Sequence, residues 1–426
     1  MKPRIGVFGA HRGMSMIKML LAYPEAELVA VCDKYVPSLE QVKQEAEAAG
    51  MSPALYESFE DFIHHDMDAV VLANYATEHA TFAVRCLDRG LHVLSECLPC
   101  ETMAQAVALV EAVERSGKVY AYAENCCYMP WAFEMWRLYK EGGLGDVSYA
   151  ECEYLHDCTA IWPQITYGDP NHWRNLMHPT FYCTHSLGPI ITATGRRPVQ
   201  VTGYECPRLD YSLETMGIRF GAGIEMVTLD NGAVVKSLHG QVCRHDAVAW
   251  NFQLYCQKGM MESGRFREQK QLSVFRVDES DYGHGTWERY DPVNEIAREY
   301  VRKSSIGKGH GGADFYAPYF FIEKILGRPD GQWSIDVYQA LDMGICGILA
   351  WRSALNGNIP IAVPDLRDPA QRDAWRNDNA CTAPAVAGDQ LLPVTSYPCP
   401  EVTAEKYEEV RQIFLQGEEK RKKEVK

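Results

Sequence analysis

The feature that most limits what this chain can fold into is the alternation, over its first 125 residues, of short apolar runs with segments of helical periodicity. Runs at 5–8, 28–32, 69–72, 92–94 and 119–122 read as strands. Segments 14–21, 38–49, 77–89 and 102–115 read as helices, and Gly50, Gly90 and Gly117 follow three of them as stop signals. Strands without polar alternation are buried on both faces, so they need a parallel sheet with helices on each side. Residues 1–125 are therefore expected to form a doubly wound α/β domain.

From residue 146 the texture changes. Longer alternating stretches at 147–155, 199–204, 217–229 and 233–242 read as half-buried strands, the last two joined by the hairpin signal Asp230-Asn231-Gly232. Helical patterns cover 182–194, 313–326 and 335–355. The expectation for 126–356 is a second α/β domain with an open, mainly antiparallel sheet that carries substrate and oligomer contacts. Residues 357–426, rich in Pro, Asp and Arg, are expected to wrap the surface and end in a charged helix.

A net charge of −15 argues against nucleic acid or an anionic membrane as partner. No apolar run reaches membrane-spanning length, and Met1-Lys2-Pro3-Arg4 leads straight into a strand, without the apolar core of an export signal. A cytoplasmic enzyme is expected. The 15 cysteines read mostly as free thiols of a reducing compartment. Cys97-Leu98-Pro99-Cys100 is the sole C-x-x-C, which leaves a redox role open but supplies no second half for a zinc site. His64-His65-Asp66 falls in a polar turn, and no metal is expected.

The first strand-turn-helix reads Gly6-Val7-Phe8-Gly9-Ala10-His11-Arg12-Gly13-Met14. Gly9 takes the tight-turn place of a dinucleotide fingerprint, His11 stands at the second glycine place and Met14 at the third, with Gly13 adding backbone freedom. The motif is weak but its context is strong: a first strand, a helix N-terminus, and Asp33 at the end of the second strand. Asp33 would accept from the adenosine ribose hydroxyls and favours NAD, although Lys34 beside it could hold a 2′-phosphate. The cofactor-binding set expected is Gly9, His11, Arg12, Gly13, Asp33, Asn74, His79 and Glu96.

Together these features resemble the glucose–fructose oxidoreductase/inositol dehydrogenase superfamily, a Rossmann domain followed by an open-sheet α/β domain, over most of the chain up to about Trp351. Two superfamily features are missing. The Glu-Lys-Pro lysine is replaced in Glu96-Cys97-Leu98-Pro99, and the Asp-x-Gly-x-His motif keeps only its histidine in Phe181-Tyr182-Cys183-Thr184-His185. Three other strings resemble the NAD-dependent glycosidase branch typified by α-N-acetylgalactosaminidase. They are Glu124-Asn125-Cys126-Cys127-Tyr128, Tyr182-Cys183-Thr184-His185-Ser186-Leu187-Gly188-Pro189 and Gly309-His310-Gly311-Gly312-Ala313-Asp314-Phe315. The stretch 151–156 resembles that branch's strand bearing an active-site tyrosine, Tyr154 here.

The resemblance implies cleavage of a hexoside or N-acetylhexosaminide by transient C3 oxidation, C1–C2 elimination, water addition and re-reduction, with no net redox change. The catalytic candidates are His185 as base, Tyr182 three residues earlier on the same helix face, Tyr154, and Glu124 holding a sugar hydroxyl or the carboxamide. Substrate-binding candidates are His310, Trp173 and Arg174 on a loop, and Asp314, which could equally cap its helix. Which residue takes the C2 proton stays open. The alternatives are an NAD-linked sugar or cyclitol dehydrogenase that stops at the 3-keto glycoside, and a cofactor-holding protein without turnover. A homo-oligomer, dimer or tetramer, is expected from the open sheet.

Overall fold

The computed structural model describes residues 2–244, 249–265, 271–281, 284–303 and 309–424. Its first sheet is built from β1 (Arg4–Phe8), β2 (Glu27–Cys32), β3 (Ala54–Tyr56), β4 (Ala69–Leu72), β5 (His92–Ser95) and β6 (Tyr120–Tyr122), in the order β3-β2-β1-β4-β5-β6. Every pairing is parallel. Helices α1 (Ala10–Ala22), α2 (Val36–Ala48), α3 (His79–Asp88) and α4 (Met103–Ser116) supply the crossovers. The doubly wound expectation holds, and the strands are apolar because they are buried on both faces. The short edge strand β3 carries too few apolar residues to stand out in the sequence.

The order reverses between β1 and β4, the switch point where open α/β sheets leave a crevice at their carboxyl ends. After β6 the chain runs through α5 (Pro130–Glu141) into a nine-stranded sheet. Its strands are β7 (Val147–Leu155), β8 (Pro198–Glu205), β9 (Gly223–Leu229), β10 (Val234–Gly240), β11 (Ala249–Cys256), β12 (Gly259–Ser263), β13 (Leu272–Val277), β14 (Gly285–Tyr290) and β15 (Ile361–Ala362). They lie in the order β14-β13-β12-β11-β7-β10-β9-β8-β15, all antiparallel except the parallel β7–β10 pair. The strand read at 217–229 starts only at Gly223, because Gly217 closes the preceding helix Asp210–Met216 in the left-handed region.

One face of this sheet is covered by α6 (Thr184–Thr194) and α8 (Val337–Leu355), while α7 (Ala313–Ile325) packs beside α1. Helix α8 starts on a complete capping box, Asp336 with Gln339, and is buried on nearly every side between β8 and α4. Two glycines permit that depth. A Cβ at Gly203 would fall on the carbonyl of Ala350, and one at Gly347 on the carbonyl of Thr180. The second contact seats the turn Pro179–Tyr182 directly on α8. The C-terminal helix α9 (Ala404–Glu424) lies against the segments Trp162–Thr166 and Asp210–Met216, with Phe414 edge-on to Tyr167 at 5.1 Å. Among the described residues no helix is long and apolar enough to cross a membrane.

Two outcomes follow from this packing. Gly347→Ala should lower unfolding free energy by about 2 kcal/mol or more, read from urea midpoints, because backbone cannot yield as a side chain can. Gly50→Ala, where only the positive φ of 71° opposes the methyl, should cost about 1 kcal/mol. Glu225 on β9 is fully buried, and burial, only partly offset by hydrogen bonding from Ser237 and its own backbone, pushes it up to about 8. A carboxyl raised on folding costs stability once the unfolded chain ionises, so stability should fall as pH rises from about 4.5 to 8. Glu225→Gln should flatten that fall, measured as urea midpoints at pH 5 and pH 9.

Candidate active site

The site forms where the end of β6 meets α6. Glu124 follows β6 and accepts from the amide of Cys126 at 3.2 Å, capping the turn Asn125–Tyr128. It is fully buried, and α6 can come this close because residue 188 is glycine: a Cβ there would stand 3.1 Å from Glu124 Cγ. One turn earlier on α6, His185 Nδ1 lies 2.7 Å from Glu124 Oε1. The other carboxylate oxygen accepts from the thiol of Cys97 at 3.1 Å. Burial pulls the Glu124 carboxyl upward, but His185 and these donors outweigh it and hold it below the usual carboxylate range. An ionised Glu124 requires a proton on Nδ1, which leaves Nε2 of a neutral His185 as the free acceptor.

His185 lines a cavity of about 240 Å³. Two tyrosines meet its ring edge-on, Tyr154 of β7 at 4.8 Å and Tyr182 at 4.8 Å. Tyr182 does not share the helix with His185 as the sequence pattern suggested. It ends the 3-10 turn Pro179–Tyr182, because His178 caps that turn and Pro179 starts it anew. The Tyr154 hydroxyl lies 3.3 Å from His156 Nδ1, and its ring stacks on His239 at 5.1 Å, its register partner on β10. Burial pushes both tyrosines upward, so both are protonated at neutral pH. It drives His239 well below the ordinary imidazole range, with His185 adding to the effect.

The other candidates fall into place around this centre. Trp173 and Arg174 line the cavity from the short helix Trp173–Leu176, with Trp173 stacked on Tyr182 at 6.0 Å and the Arg174 guanidinium 4.2 Å over the indole. Asp314, on the first turn of α7, accepts from Asn125 at 3.1 Å and is not among the cavity's lining residues; the N-cap of α7 is Gly312. Glu124 also stands behind the wall, not on it. The backbone of His310 lies in the turn Gly309–Gly312, and its side chain is outside the described residues. Sequence reasoning missed His156, His239 and Gln241 of the lining. Only the β7–β10 register would have revealed His239.

The fit to a dinucleotide can be judged on the first domain. Gly9 has φ 99°, and a Cβ there would collide with the backbone of Ala73 and Asn74. Gly13, not Met14, serves helix–strand packing, since a Cβ would come within 3.0 Å of Val7 and 3.3 Å of Ala73. Asp33 accepts from the amides of Ala10 at 2.7 Å and His11 at 3.2 Å, which places its carboxylate at the helix mouth. Arg12 reaches Glu96 at 2.9 Å, and that pairing raises its already high affinity for a proton. Asn74 Oδ1 and His79 Nε2, past the end of β4, are buried without hydrogen-bond partners, and burial pushes His79 down to about 4. Unsatisfied polar atoms beside the switch-point crevice suit a polar ligand there, so the residues fit NAD.

Cys97 Sγ, a Glu124 oxygen and a His185 nitrogen also lie within 4.8 Å of one another, a spacing a cation could bridge, although hydrogen bonds already join them. All 15 cysteines are free.

Residues 4–124 match the model of the oxidoreductase family with an NAD-binding Rossmann fold. Along the chain, a glycosyl hydrolase family 109 protein of Phocaeicola vulgatus is 24% identical over 402 residues, covering 85% of this chain and 83% of that protein. One of Saccharopolyspora erythraea is 25% identical over 399 residues, with 85% and 83% covered. Among solved structures, levoglucosan dehydrogenase in complex with NADH superposes with a TM-score of 0.67 at 16% identity, over 86% of this chain and 100% of that one. Scyllo-inositol dehydrogenase of Lactobacillus casei, with NAD(H) and scyllo-inositol bound, gives 0.63 at 16%, again over 86% and 100%. Residues 4–124 are therefore similar to the oxidoreductase family with an NAD-binding Rossmann fold, in a chain that resembles glycosyl hydrolases of family 109 over most of its length.

Proposed function

We propose that this protein is an NAD-dependent glycoside hydrolase that opens its substrate by elimination. The observation that carries the reading is the composition of the cavity wall: among the described residues lining it there is no Asp or Glu. Direct glycoside hydrolysis uses two carboxylates flanking the anomeric carbon. Here the groups facing the cavity are an imidazole oriented by a buried carboxylate and two protonated phenols.

Gly9, Asp33, Asn74 and His79 would hold NAD, and bound there it supplies reversible oxidation of the sugar's C3 hydroxyl to a ketone. His185 Nε2 accepts the C3 hydroxyl proton, with Glu124 steadying the imidazolium that forms. A ketone at C3 acidifies the C2 proton, which Tyr154 takes as its own hydroxyl proton passes to His156 Nδ1, 3.3 Å away. Tyr182 donates to oxygen, at the enolate or at the leaving group. Departure of the C1 substituent, addition of water, the reverse proton transfers and reduction of the C3 ketone back to the hydroxyl would return a free sugar with no net redox change. Because the bond breaks by elimination, both anomers are substrates in principle. The names of the curated relatives support this reading, while the fold alone accommodates a sugar or cyclitol dehydrogenase as well.

Aryl hexosides and N-acetylhexosaminides, tested as both anomers with NAD⁺, should release phenol without accumulating NADH. His185→Ala should lower kcat/KM by about 10³-fold. Glu124→Gln should lower it about 10²-fold or more by freeing the wrong tautomer. Steady NADH formation with the glycosidic bond intact would make the protein a dehydrogenase.

We also propose that the chain is a cytoplasmic homo-oligomer. Trp287, Phe275, Met260, Tyr255 and Tyr149 form one register row across five strands, on the sheet face opposite α6 and α8. Trp287 is 60% exposed, and such an apolar row marks a contact surface. Trp287→Asp should shift the sedimentation coefficient to that of a 48.1 kDa monomer. An unchanged oligomer would place the interface elsewhere.

A further inference from the structure

We propose that the outer half of the cavity is a subsite for an apolar aglycone. The inference rests on the glycosidase reading and names the class of substrate it acts on. The cavity has two chemically distinct ends. At one, Arg12 comes from the first turn of α1 and Asn125 from the turn after β6, in the same lining as Tyr154, Tyr182 and His185. At the other, the wall is Ile161, Trp162, Ile165, Met177, Ile218 and Phe220.

Apart from Met177, these side chains are not a part of the main core that happens to be open. Trp162, Ile218 and Phe220 form a separate buried cluster, with Ile165 packed against it. The one polar atom of the Trp162 ring is spoken for, since Nε1–H donates to Asn175 Oδ1 at 3.2 Å. The indole therefore offers carbon to the cavity, and Phe220 meets it at 6.4 Å and 65°.

A sugar ring cannot use such a wall, because each hydroxyl placed there would lose its water without gaining a partner. The ring belongs at the polar end, beside His185. The aglycone is the half that must leave while the oxidised sugar stays, so it belongs toward solvent. Ile161, at the apolar end, is 39% exposed and marks that mouth. The occupant this wall fits is an uncharged aryl or alkyl group.

Benzyl and methyl glycosides release alcohols of nearly equal basicity, so their comparison isolates binding from leaving-group chemistry. On the NAD-loaded protein, the benzyl glycoside should have a kcat/KM about tenfold higher, from the apolar area it buries. Ile161→Asp should cut the benzyl value about fivefold and leave the methyl value unchanged. Ile161 ends the short turn Thr159–Ile161 at the surface, so the variant should fold, and Ile161→Leu should retain the preference.

A readout independent of turnover is saturable broadening of the ¹⁹F signal of 4-fluorobenzyl alcohol, present in wild type and lost in Ile161→Asp. If no glycoside is cleaved yet this binding is seen and lost as stated, the hydrolase reading fails and the subsite stands. Equal kcat/KM for both glycosides, or unsaturable ¹⁹F broadening, would overturn the subsite.

Discussion

The hydrogen bond between Glu124 and His185 is the contact on which the site depends. It ties the last strand of the first domain to the helix that covers the second sheet, at 2.7 Å and out of reach of water on the Glu124 side. A carboxylate buried this completely would normally take up a proton. It stays charged because an imidazole, a backbone amide and a thiol all donate to it. Gly188 lets the helix approach, and Gly347 seats the neighbouring turn that carries Tyr182. Remove the bond and the imidazole loses its tautomer, its orientation and its link to the cofactor side together.

The thiol in that group bears on the question of chemistry. Cys97 stands where the resembling superfamily has a lysine, and a buried thiol is a weak acid here: burial, then Glu124, raises it well above its ordinary value. It can donate a hydrogen bond but neither carry positive charge nor serve as an acid–base group near neutrality. In the proposed reaction, the task of moving the sugar's hydroxyl proton then falls on His185. Among the described residues the cavity wall carries no carboxylate, and of its two arginines one, Arg12, is paired with Glu96. Such a wall suits an enolate stabilised by neutral donors better than an oxocarbenium ion stabilised by a carboxylate.

Much of this was legible in the sequence, for physical reasons that differ by residue. The parallel sheet announced itself because burial on both faces leaves no polar residue in β4 and confines those of β1 and β5 to the strand ends, Arg4, His92 and Ser95. Asp33 was legible from its spacing, and His185 and Glu124 from strings carried with the resemblance. What the sequence did not disclose was pairing at a distance. That Glu124 faces His185 from behind the cavity wall depends on how α6 lies over β6, a tertiary fact without a local signal. The stacking of His239 on Tyr154 needs the register of two strands that are parallel in an otherwise antiparallel sheet. Gly13 was undervalued for the same cause, since the side chains it admits, Val7 and Ala73, come from two other strands' ends.

The central claim is that the glycosidic bond breaks by elimination across C1 and C2, with His185 and Tyr154 handling protons in a cavity that, among the described residues, no Asp or Glu lines. The direct measurement is the isotopic composition of the sugar released in D₂O, read by NMR. The account expects one deuterium at C2 of the product and unlabelled C3. A product that keeps its C2 hydrogen would contradict elimination and, with it, the reading of this cavity.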